Sequence, residues 1–394
     1  MKSRLVACAD AVRRKVREGG LGPAPVLLAL VVTWVVFQCL NDHFLSPRNL
    51  SVLSVDIVGT GMVAVGIVFV LLIGEIDLSV GSLAGLAGAV FAALNVNLGM
   101  TEWLAVVIAV ICGTAIGAIH GFLFARFRVP AFVVTLAGLL AWSGLMLYLL
   151  GPDSSIHFSE DGLVATLTSR YFSAPVLTYG LATLCTAGYL LVSLRNRGRR
   201  AGAGMPCRPV AEIWVRTALL AAVAFATVSV LGRFEGLPLA LLIFLGVIVA
   251  SDLLLRRTPY GRQVLALGGG VEAARRAGVD VTRVRISVFM VSGTLAAVGG
   301  LFVASRFTSA SPVSGSGMLL INAVAVIGGT SLFGGRGSTW SALLGVLIIQ
   351  SIASGMALLG VETAVQFMIT GGVLITAVIF DSLARRAPET RGRA

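Results

Sequence analysis

The chain has 394 residues, 57% of them hydrophobic and 12% charged, with a mean hydropathy of +0.95. This composition indicates a polytopic helical membrane protein. Its net charge of +12 would suit a nucleic-acid partner, but the charges are placed as membrane topology demands, so no nucleic acid is expected. Only Lys2 and Lys15 are lysines, which excludes a P-loop, since GxxxxGK[ST] has no lysine to use after position 15.

Apolar runs near the ~20 residues of a span predict helices, in chain order, at 26–45, 51–73, 79–97, 103–125, 131–151, 175–194, 213–232, 236–255, 286–305, 317–334, 338–358 and 365–384. The expectation is an all-α polytopic membrane protein with about 10–12 transmembrane helices. The segments 79–97 and 317–334 are glycine-rich, and short, broken or re-entrant helices fit there. With the N-terminus inside, 26 of the 30 Lys and Arg fall on inner segments, leaving Arg48, Arg170, Arg233 and Arg306 outside. This bias places both termini in the cytoplasm. The domain reading is 1–25 as a cytoplasmic N-terminal segment, 26–384 as the membrane domain with an inner loop at 256–285, and 385–394 as a cytoplasmic tail. The first apolar run is longer than a signal-peptide core and is expected to be a span.

Catalytic signals are absent. Cys39, Cys112 and Cys185 lie in predicted spans and Cys8 and Cys207 on the inner side, without CxxC or Cys/His spacing, so neither a metal site, a cofactor nor a disulfide framework is expected. His43, His120 and His157 are far apart, and His120 is expected to hydrogen-bond between helices rather than to bind a ligand. With no GxSxG and no HExxH, the chain is read as non-enzymatic. The acidic residues in or beside spans, Asp56, Glu75, Asp77 and Asp252, are candidates for function because charge in hydrocarbon is costly; the plainer expectation is that all four lie near a hydrated interface. Their scarcity at mid-membrane disfavours an ion-coupled carrier.

Three segments stand out, in order. IGEIDLSVGS at 73–82 carries two carboxylates and then Ser79, expected to be the N-cap of the next helix with Asp77 favouring its positive end. A charged island follows at 258–285, TPYGRQVLALGGGVEAARRAGVDVTRVR. Within it Glu272, Arg275 and Arg276 share a helix face, Ala273, Ala274 and Ala277 offer a small packing surface, Gly268–Gly270 read as a turn, and Gly278 as a helix stop. The third segment is IGGTSLFGGRGS at 327–338, which faintly resembles the first and suggests a parallel internal repeat.

Together these segments resemble the branched-chain/monosaccharide family of ABC-importer permeases, the ribose- and xylose-type sugar permeases, with the long 151–235 region most like the xylose type. The residues carrying the likeness are Gly74, Asp77, Leu78, Ser79 and Gly81 in the first block and Gly328, Gly329, Gly334 and Gly335 in the third, with Glu272, Ala273, Ala274 and Gly278 matching the family's EAA-like coupling element between them. The sequence departs from the family pattern at Glu75, where a glycine is usual, and at Asn322, whose register is shifted. The resemblance implies a multi-pass protein of a bacterial plasma membrane that dimerises in the lipid, pairs with cytoplasmic ABC ATPase subunits and receives a sugar from an extracytoplasmic binding protein. For a neutral sugar, hydrogen-bonding wall positions are sought at Asn95, Asn97, Thr135, Ser143, Asn322 and Thr330. An ion-driven sugar carrier and a non-transporting scaffold or sensor subunit remain alternatives at this point.

Overall fold

The computed structural model describes residues 24–127, 129–207, 209–312, 328–331 and 334–389. The first helices in chain order are α1 (Ala24–Leu40), α2 (Pro47–Leu72), α3 (Val80–Ala92, continued by a π turn Ala93–Asn97), α4 (Glu102–Phe127) and α5 (Ala131–Leu150). A short helix α6 (Leu163–Ser169) precedes α7 (Pro175–Gly202), α8 (Val210–Leu231) and α9 (Leu239–Arg257). Two inner-face helices, α10 (Pro259–Gly269) and α11 (Val271–Arg276), lead into α12 (Val281–Phe307), and α13 (Thr339–Leu358) and α14 (Thr363–Glu389) are the last of the described helices. Nine of these helices are long and apolar enough to cross a membrane, counting α3 with its π turn. The protein is therefore an all-α multi-pass membrane protein of the kind the composition predicts. Helix α1, of 17 residues, runs parallel to α13, joined by Trp34 Nε1 donating to Ser351 Oγ (2.9 Å) and Asn41 Nδ2 donating to the Leu358 carbonyl (3.1 Å).

The bundle is built on α12 and α2. Lipid is as apolar as leucine, so such helices associate through close packing, which small residues permit. Gly113, Gly117 and Gly121 of α4 put one backbone ridge against Gly293, Phe289 and Ile286 of α12. On another side, Gly59 and Gly66 of α2 face Gly299 and Ser292, and Gly300 lies on the backbone of Ala84 in α3. These pairings make α2 and α4 antiparallel to α12, and α3 parallel to it. The centre of the bundle is accordingly α2, which is buried along most of its length.

Two short antiparallel pairs close the outer face. Strand β1 (Ile156–His157) pairs with β4 (Ser309–Ala310), and β2 (Tyr171–Phe172) with β3 (Leu237–Pro238). Beside them Arg306 Nε meets Asp56 Oδ1 at 2.7 Å, tying α12 to α2. At the inner face, Arg256 Nε contacts Asp252 Oδ1 at 2.7 Å, and its Nη2 donates to Ser338 Oγ at 3.3 Å. Asp56, Glu75 and Asp252 are each partly exposed and lie beside an arginine. The predicted span 317–334 falls mostly outside the described residues, as does Asn322.

The glycine-rich 79–97 helix is broken from its predecessor, as the sequence suggests. Because Gly300 lies against Ala84, and a helix rises ~1.5 Å per residue, α3 starts roughly 20 Å above the inner end of α12. The chain leaves α2 at Leu72, crosses Ile73–Ser79 without regular structure, and re-enters a helix deep in the bundle.

Candidate functional site

The break between α2 and α3 is held by side chains rather than by a cap. The expected N-cap bond from Ser79 is missing: its backbone is already helical (φ −83°, ψ −13°) and its hydroxyl points elsewhere. Asp77 Oδ1 accepts from both Ser79 N–H (2.9 Å) and Ser79 Oγ (2.6 Å). The other side of the Ser79 hydroxyl lies 3.3 Å from His120 Nδ1 on α4, and Trp142 Nε1 on α5 donates to His120 Nε2 at 3.0 Å. Leu78 N–H donates to Thr135 Oγ1 of α5 at 3.1 Å. Asp77 is only 3% exposed and His120 likewise 3%, so Asp77 departs from the interfacial placement expected of it. The reason is tertiary: the break carries residue 77 beneath α4 and α5, and the N-terminus of α3 favours its charge. His120 joins helices, as its isolation from other ligand types implied. Glu75 is accommodated at a half-open position, with Oε1 3.7 Å from Arg285 Nη2.

Below the break, the three sequence blocks meet. Gly335 N–H donates to the Leu72 carbonyl at the end of α2 (2.9 Å). Gly268 of α10 lies on that same carbonyl, and a Cβ there would also stand 2.6 Å from Gly335 N. A Cβ on Gly334 would lie 2.9 Å from Gly74 N and 3.0 Å from the Gly268 carbonyl. Gly74, Gly334 and Gly335 all have positive φ (79°, 82° and 72°), a region that only glycine enters at little cost. Glycine here serves both conformation and contact, which is why residues far apart in the chain carry the same side-chain choice. Gly328 packs on the Ser341 backbone in the same manner, and Thr330 shares a short hydrogen bond with Ser341 Oγ. Gly81 lies buried in the first turn of α3, and Gly329 is exposed with φ 103°.

The charged island is two helices on the inner face. Thr258 caps α10, its Oγ1 accepting from Gly261 N–H (3.1 Å), with Pro259 at the first turn where a missing N–H does no harm. Val264 and Leu267 are buried beneath it. Tyr260, also turned inward, has its phenol pushed up by burial, offset in part by the Ser287 hydroxyl that donates to it at 3.3 Å. The helix runs through Gly268 and Gly269, so the predicted turn narrows to Gly270. Helix α11 then presents Glu272, Arg275 and Arg276 outward, with Arg275 Nη1 3.0 Å and Arg276 Nε 3.6 Å from the Glu272 carboxylate. Of the three alanines only Ala274 faces inward; Ala273 and Ala277 are exposed, so the expected alanine packing surface is a single residue, with Val271 packed partly buried beside it. Gly278, at φ 82°, follows the C-terminus as a helix stop.

The wall positions sought for a sugar do not converge. Asn95 and Asn97 lie at the outer end of α3, where Asn95 Nδ2 donates to the Met100 carbonyl (3.0 Å). Thr135 and Thr330 are buried and engaged in the break and the glycine junction, respectively, while Ser143 is half-buried on α5. Spacing along single helices held no information about which faces meet. Two features escaped the sequence reading although their signals were present. One is the GxxxGxxxG run at Gly113, Gly117 and Gly121, a helix-packing pattern. The other is Gly138, whose missing side chain lets His120 and Trp142 approach: a Cβ there would be 2.7 Å from His120 Cε1. Among the described residues no group of His, Cys, Asp and Glu is arranged to hold a metal.

Comparison with known proteins shows the family. The profile of the family described as branched-chain amino acid transport system / permease component matches residues 49–378. The xylose transport system permease protein XylH of Escherichia coli (strain K12) is 33% identical over 365 residues, 92% of this chain and 91% of that protein. The L-arabinose transport system permease protein AraH of the same strain is 29% identical over 93% of this chain and 92% of its own length. The ribose import permease protein RbsC of Bacillus subtilis (strain 168) is 30% identical over 92% of each. No solved structure matches.

Proposed function

We propose that this chain, which belongs to the branched-chain amino acid transport system / permease component family, is the membrane subunit of an ATP-driven importer of a monosaccharide, a pentose such as xylose being favoured. Its relatives named for xylose, arabinose and ribose support that substrate class. A separate cytoplasmic ATPase supplies the energy, an extracytoplasmic binding protein delivers the sugar, and two copies of the chain form the path between them.

The observation that carries this reading is the meeting of Gly74, Gly268 and Gly334–Gly335 at the inner end of α2. Helix α11 is exposed and begins three residues after Gly268, which supports its receiving a push from an ATPase. Gly268 rests directly on the Leu72 carbonyl, with no flexible side chain between. Closely packed backbones are stiff, so displacement of α11 and α10 passes to the end of α2 and on to the break at 73–79. Alternating access then follows as a rocking of the helices on either side of that break. Glu272, Ala273, Ala274, Arg275, Arg276 and Gly278 are the docking element, and the two arginines, pre-ordered by Glu272, offer donors to an acidic groove.

The test is reconstitution in proteoliposomes with the cognate ATPase and binding protein. Labelled xylose uptake should require all three components and ATP. Uptake by this chain alone, abolished by an uncoupler, would instead establish an ion-driven carrier, and a fully assembled complex without flux would establish a scaffold.

A further inference from the structure

We infer that Trp142, His120 and Ser79 are positioning residues: a hydrogen-bond relay of fixed polarity that ends on Asp77 and sets how α3 re-enters the bundle after its break. The inference adds a working part to the transport reading above and rests on that reading only for its functional arm.

The polarity follows from which groups can donate. An indole nitrogen is a donor only, so the 3.0 Å contact from Trp142 Nε1 requires His120 Nε2 to be the acceptor and to carry no proton. A neutral imidazole must then hold its proton on Nδ1, which faces Ser79 Oγ at 3.3 Å. Ser79 Oγ accepts there and directs its own proton to Asp77 Oδ1 at 2.6 Å. The reverse order fails chemically, because Ser79 donating to Nδ1 would leave both ring nitrogens as acceptors. An imidazolium fails too, since its Nε2–H would face the Trp142 N–H. Trp142, two helices away from the break in sequence, therefore dictates the direction of every bond down to Asp77.

The relay joins three elements that share no backbone bonds at this point. Trp142 lies on α5, His120 on α4, and Ser79 and Asp77 at the start of α3. Gly138 makes the Trp142–His120 approach possible, as a Cβ there would stand 3.0 Å from Trp142 Nε1. Among the described residues Asp77 has no ion pair within 4 Å, and its carboxylate accepts from Ser79 N–H and Ser79 O–H beside the α3 N-terminus, with the Ser292 hydroxyl of α12 also turned to it. Loss of any donor upstream leaves a buried acceptor less well met and frees the hinge residues Ile76–Ser79 to shift.

The sequence has three histidines, and His43 and His157 are exposed, so nitrogen NMR of the full chain labelled with ¹⁵N-histidine in nanodiscs reads the relay directly. One ring, assigned by its loss in His120→Gln, should be the neutral Nδ1–H tautomer. In Trp142→Phe that ring should revert to an Nε2–H or mixed form. An Nε2–H or doubly protonated His120 in the unsubstituted protein at neutral pH overturns the relay, whether or not the chain transports sugar. In the reconstituted assembly, Trp142→Phe and Ser79→Ala should each lower maximal uptake about fivefold, as one hydrogen bond implies, with KM unchanged. The double variant should be no slower than the slower single one. Losses that multiply would mean two independent structural contacts and would also refute the relay.

Discussion

Replacing Gly268 with alanine tests the glycine junction with a single methyl group. The new Cβ lands on the Leu72 carbonyl oxygen and within 2.6 Å of Gly335 N and 3.0 Å of Leu72 C. All three are backbone atoms, so nothing can swing aside, and either α10 lifts off α2 or the 334–335 loop moves. Overpacking of this kind costs about 1–3 kcal/mol. Separation also weakens the Gly335 N–H to Leu72 O bond, at about 1 kcal/mol if water replaces it. The sum is roughly 2–4 kcal/mol. Gly269 is the internal control: it follows in the same helix and has nothing within 4 Å of its Cβ. Alanine there should be neutral or stabilise by up to ~1 kcal/mol, as alanine favours helix. The assay is thermal unfolding of the purified protein in one detergent, alongside ATP-driven uptake by the assembled importer. Gly268→Ala should unfold several degrees lower and lose at least tenfold in uptake, with Gly269→Ala near the parent in both. If the two variants behave alike, the close contact does not exist as described and the route from α11 to α2 fails with it.

Glu272→Gln removes an exposed pair worth about 0–1 kcal/mol, so melting should be unchanged while ATPase association, measured by co-purification, falls. Gly117→Leu drives a side chain into the Phe289 backbone on α12 and should destabilise by at least ~3 kcal/mol, seen as loss of folded protein in size-exclusion profiles. Tyr260→Phe leaves the Ser287 hydroxyl without its phenol partner and should cost about 0.5–1.5 kcal/mol by thermal melting, with little effect on uptake. Asn97→Ala changes an exposed residue at the outer end of α3 and should leave uptake within twofold, consistent with its place away from the break.

Legibility differed between the parts of the site. The proposed coupling element was readable as a short helix because its signals are local: Gly278 ends it and Glu272 pairs one turn on with Arg275 and Arg276. Its inward face was misjudged, since of its alanines a six-residue helix buries Ala274 alone against the bundle. Ser79 was read as a cap from its place before a helix, yet its hydroxyl is taken by Asp77 and His120, partners that no local pattern reveals. The proposed wall residues were scattered for the same reason, as Asn95 and Thr330 are polar to satisfy nearby backbone and hydroxyl groups.

Class and family were determined by the amino-acid sequence alone, because hydropathy and three ordered motifs are each legible without knowing what touches what. Only the tertiary structure decided that those motifs meet. Glycine at 74, 268, 334 and 335 looks like four separate turns along the chain, and becomes one contact because α2, α10 and the 334–335 loop come together at a single carbonyl. Likewise the order Trp142, His120, Ser79, Asp77 exists only in three dimensions. Close packing and hydrogen-bond direction depend on distances between helices, and these are set by how the bundle folds rather than by any spacing along it.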